Sequence, residues 1–202
     1  VIEIRDHAFD GCQYLTNITI PNTVKIIGFA AFRYTWLRSI NLPNSITTIR
    51  DYAFAHTKLQ SINLPNSITT IGDYAFAHTK LQSIIIPNSV TSIGDNAFER
   101  CHNLKSVSIP IGVKHFGSWV FSDCYNLEYI KAPEKVMKEL EIHRLKTPYT
   151  QVTLMSDGSE RYVMPQMSYH LNVTDGTYSV GSGHSLPERD TVIPRSFNGK
   201  PV

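Results

Sequence analysis

The feature that most constrains the fold is a proline that recurs at a nearly constant interval. Successive prolines stand 22, 22, 22, 23 and 23 residues apart, and a phenylalanine recurs independently with spacings of 23, 22, 22, 22 and 23 residues. A fixed period in this range predicts a solenoid, because each unit can bury its apolar side only against its neighbours. The recurring residues are Pro21, Pro43, Pro65, Pro87, Pro110 and Pro133, with Phe9, Phe32, Phe54, Phe76, Phe98 and Phe121.

One coil, residues 37–58, shows how the repeat is expected to fold. Apolar and polar residues alternate around Ile40, which predicts a short strand with one buried face. Pro43 ends this strand, since proline has no amide hydrogen to give to a ladder. Ile46 and Ile49 are expected to point inward from a second extended stretch. Each coil should therefore bury side chains from two separate segments.

The second half of each coil carries an aspartate shortly before the recurring phenylalanine. Asp51, Asp73 and Asp95 each stand three residues before it, in the pattern Asp-Tyr-Ala-Phe or Asp-Asn-Ala-Phe. An aspartate at such a position is typical of an N-cap, whose carboxylate accepts from the free amides of a helical turn. The sequence therefore predicts a short helical turn on the side of the coil opposite the strand.

The periodic pattern ends near residue 133 and different elements are expected beyond it. Good helix formers over residues 134–148 predict a helix that caps the last coil. Asp157-Gly158 and Asp175-Gly176 each stand between alternating apolar segments, a strong signal for a hairpin. We therefore expect a β-hairpin segment over residues 149–202.

The motif Leu-x-x-Ile-x-Ile-Pro-x-x-Val-x-x-Ile-Gly-x-x-Ala-Phe-x-x-Cys is nearly complete from Leu81 to Cys101. It resembles the BspA-like leucine-rich repeats of bacterial and protist surface proteins, and the likeness covers residues 1–133. The resemblance implies an α/β leucine-rich repeat solenoid of six coils, each of 22–23 residues. It also implies a secreted or cell-surface protein engaged in adhesion, with a protein or glycan ligand on a host, a matrix or a neighbouring cell.

Residues 168–202 are similar to the N-terminal cap that opens such arrays, and two hypotheses follow. In the family pattern the final Val of this cap stands eight residues before the first repeat Phe, and Val1 stands eight residues before Phe9, so joining Val202 to Ile2 would give continuous family sequence. Residues 168–202 either begin a second array or cap the array that begins at residue 1. In the latter case, cap and array stand in swapped order within one chain, or the tail of one chain caps the next molecule through an end-to-end contact.

Charge and hydropathy exclude two classes of partner. The formal net charge is +2, which is too small for a nucleic-acid footprint. No apolar run is long enough to span a bilayer, so no membrane insertion is expected for this segment.

The sequence offers no residues for catalysis, and neither a cofactor nor a metal is expected. His56 and His78 occupy equivalent positions of adjacent coils, but a pair without a third ligand is weak support for zinc. Asp51, Asp73 and Asp95 also occupy equivalent positions and could attract calcium, although helix capping explains these aspartates without a metal. Cys12, Cys101 and Cys124 share a repeat position with threonines, which predicts a small buried slot rather than a disulfide.

The outward residues of the strand side form the candidate binding face. They are mostly small and uncharged, so they can pair with a ligand through hydrogen bonds, while Ile85 and Tyr129 interrupt the polar columns. The alternative is a structural spacer without a ligand of its own. The candidate residues are Ser39, Asn41, Ser61, Asn63, Ser83, Ile85, Ser108 and Tyr129.

Overall fold

The computed structural model describes residues 2–133, Val136 and six short strands further along the chain. The chain divides into two units, Val1–Met164 and Pro165–Val202. The first unit contains a parallel β-solenoid of about six coils, which confirms the stacking predicted from the prolines and phenylalanines.

Two sheets run along the solenoid. The six-stranded sheet contains, in order, β1 (Glu3–Ile4), β2 (Ile26–Ile27), β3 (Thr48–Ile49), β4 (Thr70–Ile71), β6 (Ser92–Ile93) and β8 (His115–Phe116), all parallel. The five-stranded sheet contains β5 (Ser83–Ile85), β7 (Ser106–Ser108), β9 (Tyr129–Lys131), β10 (Thr153–Met155) and β11 (Arg161–Val163). In the second sheet only β11 is antiparallel, and it pairs with β10.

The strand predicted around Ile40 is smaller than expected. In the second and third coils it is reduced to a single parallel bridge between Asn41 and Asn63, and regular pairing on this side begins only at β5. The second extended stretch, around Ile49, instead forms the continuous six-stranded sheet. Ile40, Ile46 and Ile49 are all buried, as the alternation predicted.

The core is a column of phenylalanine rings, one from each coil. Neighbouring rings stack nearly parallel, with centroids 5.3 to 5.5 Å apart. The rings from Phe32 to Phe121 are fully buried, whereas Phe9 in the first coil is half-buried. Stacked rings of this kind add to the burial of apolar area, so the column ties successive coils together.

The predicted helical turn before each phenylalanine is wrong. Two residues of every coil, two positions before and two after the phenylalanine, have φ between 50° and 72°, in the left-handed region. A right-handed helical turn is incompatible with this alternation. The residues are His7, Gly11, Ala30, Tyr34, Tyr52, His56, Tyr74, His78, Asn96, Arg100, Trp119 and Asp123.

Because of this alternation, every second backbone amide donates its hydrogen bond to a carbonyl of the next coil. The amide of Phe54 donates to the carbonyl of Ala75 at 2.8 Å, whereas the amide of Ala55 donates to Tyr52 in its own coil at 3.0 Å. The same alternation recurs from coil to coil. A third ladder of hydrogen bonds therefore runs along this side of the solenoid, which we call the turn side.

The aspartates also bridge coils instead of capping a helix. Asp51 accepts from the amide of Asp73 at 2.8 Å, and Asp73 accepts from the amide of Asp95 at 2.8 Å. Asp95 continues the series by accepting from the amide of Ser118 at 2.6 Å. A carboxylate that accepts from a backbone amide makes a strong, charge-assisted hydrogen bond. The predicted N-cap interaction is thus replaced by an aspartate ladder between coils.

Beyond the array, the structure describes only parts of the predicted elements. Val136 is helical and buried, and the rest of the predicted helix over 134–148 lies outside the described residues. The second unit contains two antiparallel pairs, β12 (Tyr169–Leu171) with β13 (Tyr178–Val180) and β14 (Ser196–Phe197) with β15 (Lys200–Pro201). The capping role of residues 168–202 stays a prediction.

Candidate functional site

The candidate binding residues lie in two columns on the outward side of the five-stranded sheet and of the coils that lead into it. We call this surface the strand face. Six of its residues are exposed, Ser108 is half-buried, and Tyr129 is 39% exposed. The exposed six are Ser39, Asn41, Ser61, Asn63, Ser83 and Ile85.

The strand register decides which of these residues are neighbours. Ser83 pairs with Ser106, which pairs with Tyr129, and Ile85 pairs with Ser108. Asn41 lies beside Asn63 across the isolated bridge. The repeat spacing therefore predicted these pairings correctly, while a role in binding stays a prediction for every residue of the face.

A groove with a mixed lining lies at the carboxyl ends of β5, β7 and β9. Its apolar part includes Ile85, Ile111, Pro87 and Pro110, and its polar part consists of Asn66, Asn88, Ser108 and Lys131. Its volume is about 450 Å³, a size that suits a small ligand or a few side chains of a partner. Ile85 forms one wall and is 74% exposed, and Ile111 forms another and is 70% exposed. Pro87 and Pro110 also line the groove. Exposed apolar groups that are contiguous mark an interaction site more often than isolated ones.

Sequence reasoning identified Ile85 but missed Ile111. A signal was present, because the residue after the recurring proline is asparagine in four coils, and only the fifth coil has an isoleucine there before the array ends. The asparagines are Asn22, Asn44, Asn66 and Asn88. Ile111 therefore departs from the repeat at an exposed position, as Ile85 does.

The turn side carries rings that stack along the solenoid axis. The rings of Tyr34 and His56 lie 4.5 Å apart, those of His56 and His78 4.1 Å apart, and those of Tyr52 and Tyr74 4.7 Å apart. The planes of these rings are within 21° of parallel, so each pair covers one face of each ring. The stacked rings thus join successive coils on the turn side.

Burial and mutual proximity shift the titration of the two stacked histidines. Burial lowers the pKa of His56, and the nearby His78 lowers it further. Burial lowers the pKa of His78 as well, and the positive charge of Arg100 acts in the same direction. Both imidazoles are therefore held in the neutral form at physiological pH.

The cysteine slot is buried as predicted, except in the first coil. Cys101 and Cys124 are fully buried, and each thiol donates to the carbonyl of the preceding coil's phenylalanine at 3.1 Å. The neighbouring Cys101 thiol, together with burial, raises the pKa of the Cys124 thiol well above its usual value. Cys12 is exposed, contrary to prediction.

The described residues contain no group suited to a metal. No set of three or more His, Cys, Asp or Glu side chains converges within the described part of the chain. Asp51, Asp73 and Asp95 each use a carboxylate oxygen on a backbone amide. Nor does any helix among the described residues have the length and apolar character needed to cross a membrane.

Comparison with known proteins identifies the repeat. Residues 2–128 match six copies of the family described as "BspA type Leucine rich repeat region". The leucine-rich repeat protein of T. pallidum (TpLRR) is 30% identical, with 72% of this chain and 78% of that chain covered and a TM-score of 0.61. No curated protein matches at a significant level.

Two further solved structures are similar over part of their length. A leucine-rich repeat protein from Bacteroides ovatus is 25% identical, with 77% of this chain covered and a TM-score of 0.41. The chain spans about half of that protein, 52% of its length. The pneumococcal vaccine antigen PcpA is 25% identical, with 56% of this chain and 38% of that chain covered and a TM-score of 0.43. From the six matched repeats and the solenoid, we conclude that this chain belongs to the BspA-type leucine-rich repeat family.

Proposed function

We propose that this chain is a non-catalytic protein-binding module in which the strand face holds the partner. The observation that carries the proposal is the groove beside Ile85 and Ile111, in which these two exposed aliphatic side chains lie among polar groups of the strand face. A polar surface with aliphatic side chains in one recess fits the general anatomy of a protein interface, in which a buried anchor is surrounded by hydrogen-bonding groups.

The proposed setting is a secreted or cell-surface protein that engages in adhesion. Membership of the BspA-type family supports general protein binding by the repeats. The parallel stacking of coils supplies the extended surface that such contacts require. The ligand in this setting is a protein or glycan of a host, a matrix or a neighbouring cell.

The test places negative charge on the strand face and measures attachment of the purified chain to cells and to immobilised matrix proteins. The variant carries Asn41→Asp, Asn63→Asp and Ile85→Asp, all at exposed positions, so the fold should be retained. A matched control carries Thr23→Asp, Thr69→Asp and His115→Asp, which are exposed positions outside the strand face. We expect the first variant to lose attachment and the control to keep it.

Equal attachment of the two variants would place the binding site elsewhere. Attachment by neither the native chain nor the variants would favour the spacer function instead. Circular dichroism of each variant, compared with the native chain, separates a lost site from a lost fold.

A further inference from the structure

The charged residues of the array are distributed unequally between its sides. On the turn side, carboxylates are paired with arginines: Asp10 with Arg33 at 2.6 Å, and Asp123 with Arg100 at 3.1 Å. The hydrogen bond from Arg33 lowers the pKa of Asp10, as expected for a paired carboxylate. On this side the arginines Arg33 and Arg100 are therefore paired, while Asp51, Asp73 and Asp95 bind backbone amides.

A different corner of the solenoid, between the turn side and the strand face, carries basic side chains that form no ion pair in the described part of the array. Arg38, Lys58 and Lys105 are exposed, and Lys80 is half-buried. None of these four side chains forms an ion pair within the described residues. Glu128 is the one carboxylate at the equivalent positions of residues 2–133. We call these four residues the basic corner.

The basic corner lies directly before the strands of the strand face. The amide of Gln60 donates to the carbonyl of Arg38 at 2.9 Å, and the amide of Lys105 donates to Gln82 at 2.8 Å. Lys105 then immediately precedes β7, whose far end leads to Ile109 and the groove. A strand rises about 3.3 Å per residue, so the basic corner and the groove are separated by about five residues of extended chain.

From this placement we infer that the partner of the strand face is an acidic protein segment with an apolar anchor. Asp or Glu side chains of the segment lie against the basic corner, and an aliphatic or aromatic side chain about five residues away enters the groove beside Ile85 and Ile111. Charge complementarity of this kind favours the correct partner and speeds its association. The inference rests on the proposed function, because it assigns a ligand to that same face.

A protein segment fits both the basic corner and the groove better than a sulfated polysaccharide does. The sulfates of a polysaccharide can pair with the lysines, but a polysaccharide has no apolar side chain for the part of the groove formed by Ile85, Ile111, Pro87 and Pro110. Binding of heparin, as a representative sulfated polysaccharide, is therefore included in the test as a competing outcome.

The experiment selects 12-residue peptides from a random display library on the full chain. We expect the enriched peptides to combine a cluster of Asp or Glu with a Leu, Ile, Phe or Trp at a separation of about five residues. Enriched peptides without an acidic bias, or a chain that binds heparin tightly and no peptide, would overturn the inference.

Substitutions then locate the bound peptide. Lys58→Glu, Lys80→Glu and Lys105→Glu together should weaken binding of an enriched peptide at least tenfold, and Ile111→Asp should weaken it to a similar extent. The matched control is Lys25→Glu with Lys114→Glu, since both lysines are exposed and belong to the six-stranded side. Binding should also weaken as salt is raised. Equal losses in the control and in the basic-corner variant would overturn the inference.

The failure of the inference can be distinguished from the failure of the proposed function. One outcome is that the enriched peptides contain no cluster of Asp or Glu and yet fail to bind a chain that carries Asn41→Asp, Asn63→Asp and Ile85→Asp. In that case the strand face binds a partner of different chemistry. If those strand-face substitutions leave every enriched peptide bound, the proposed function fails as well.

Discussion

The Oδ1 atom of Asp51 accepts a hydrogen bond from the backbone amide of Asp73, one coil further along, at 2.8 Å. Asp73 in turn accepts from the amide of Asp95 at 2.8 Å. A side chain that a single coil would use on its own backbone is here used to bind the next coil. The aspartate ladder therefore stabilises the stack and not the individual turn.

Replacing Asp73 with alanine should destabilise the solenoid by about 1 to 3 kcal/mol, because the amide of Asp95 loses a charged acceptor. Asp73→Asn keeps an oxygen that can accept and should cost less. Urea unfolding followed by circular dichroism measures both changes. Equal effects of the two substitutions would show that the hydrogen bond to Asp95 contributes little.

Gly72→Ala should be destabilising for a reason that involves Asp51. A Cβ atom at Gly72 would lie 2.6 Å from the amide nitrogen of Asp51 and would also overlap the Asp51 carboxylate. Crowding of this kind in a packed structure costs about 1 to 3 kcal/mol. In an Asp51→Ala background the overlap with the carboxylate is gone, so Gly72→Ala should cost less there.

The native chain, Gly72→Ala, Asp51→Ala and the double variant form a double-mutant cycle, and urea unfolding measures the stability of each. Additive effects of Gly72→Ala and Asp51→Ala would contradict the predicted overlap. Gly11→Asn is a useful control, since nothing lies within 4 Å of a Cβ at Gly11 and asparagine tolerates its φ of +72°.

Phe76→Ala should cost about 3 to 5 kcal/mol, because it leaves a cavity in the middle of the ring column. The matched control is Phe9→Ala in the first coil, where the ring is half-buried and stacks on Phe32 alone. The loss there should be clearly smaller. Equal losses at the two positions, measured by urea unfolding, would argue against a continuous core.

Acid should destabilise the chain through His56 and His78. Their folded-state pKa values lie below the ordinary value of 6.5, so the unfolded state takes up protons first as the pH falls through 6.5. Stability is therefore full above this value and is lost below it. The nearby charged groups include Arg33, Arg100, Lys80, Glu99 and Asp123.

The check compares urea midpoints at about pH 7.5 and about pH 5.5 for the native chain and for His56→Asn with His78→Asn. Asparagine suits the left-handed φ values of 59° and 60° at these positions. The double variant should lose less stability on acidification. An unchanged pH dependence would assign the effect to other groups.

The repeat and its core were predictable from sequence, because the period places equivalent residues in register whatever the path of the chain between them. That is why the positions of Phe54 and Ile49 in the core could be inferred from spacing alone. The strand face was predictable for the same reason, since Ser83 and Asn63 follow from the alternation within a coil.

The turn side was not predictable, because its conformation depends on neighbouring coils. Asp51-Tyr-Ala-Phe54 matches a helix N-terminus locally, and a single coil gives no sign that Asp51 accepts from the next one. Tyr52 and His56 adopt positive φ, which bulky residues rarely do alone. The hydrogen bonds of the ladder between coils offset the free-energy cost of this conformation.

The alternating hydrogen-bond ladder of the turn side has a consequence for how such a protein can gain or lose coils during evolution. Each coil presents to its successor the same donors and acceptors that it receives from its predecessor, so an inserted copy leaves no amide unmatched. Residues 37–58 and 59–80 differ only where Arg38 stands opposite Gln60 and Arg50 opposite Gly72. Gene segments encoding whole coils are therefore natural units of duplication, and the reach of the surface can evolve without redesign of its interior.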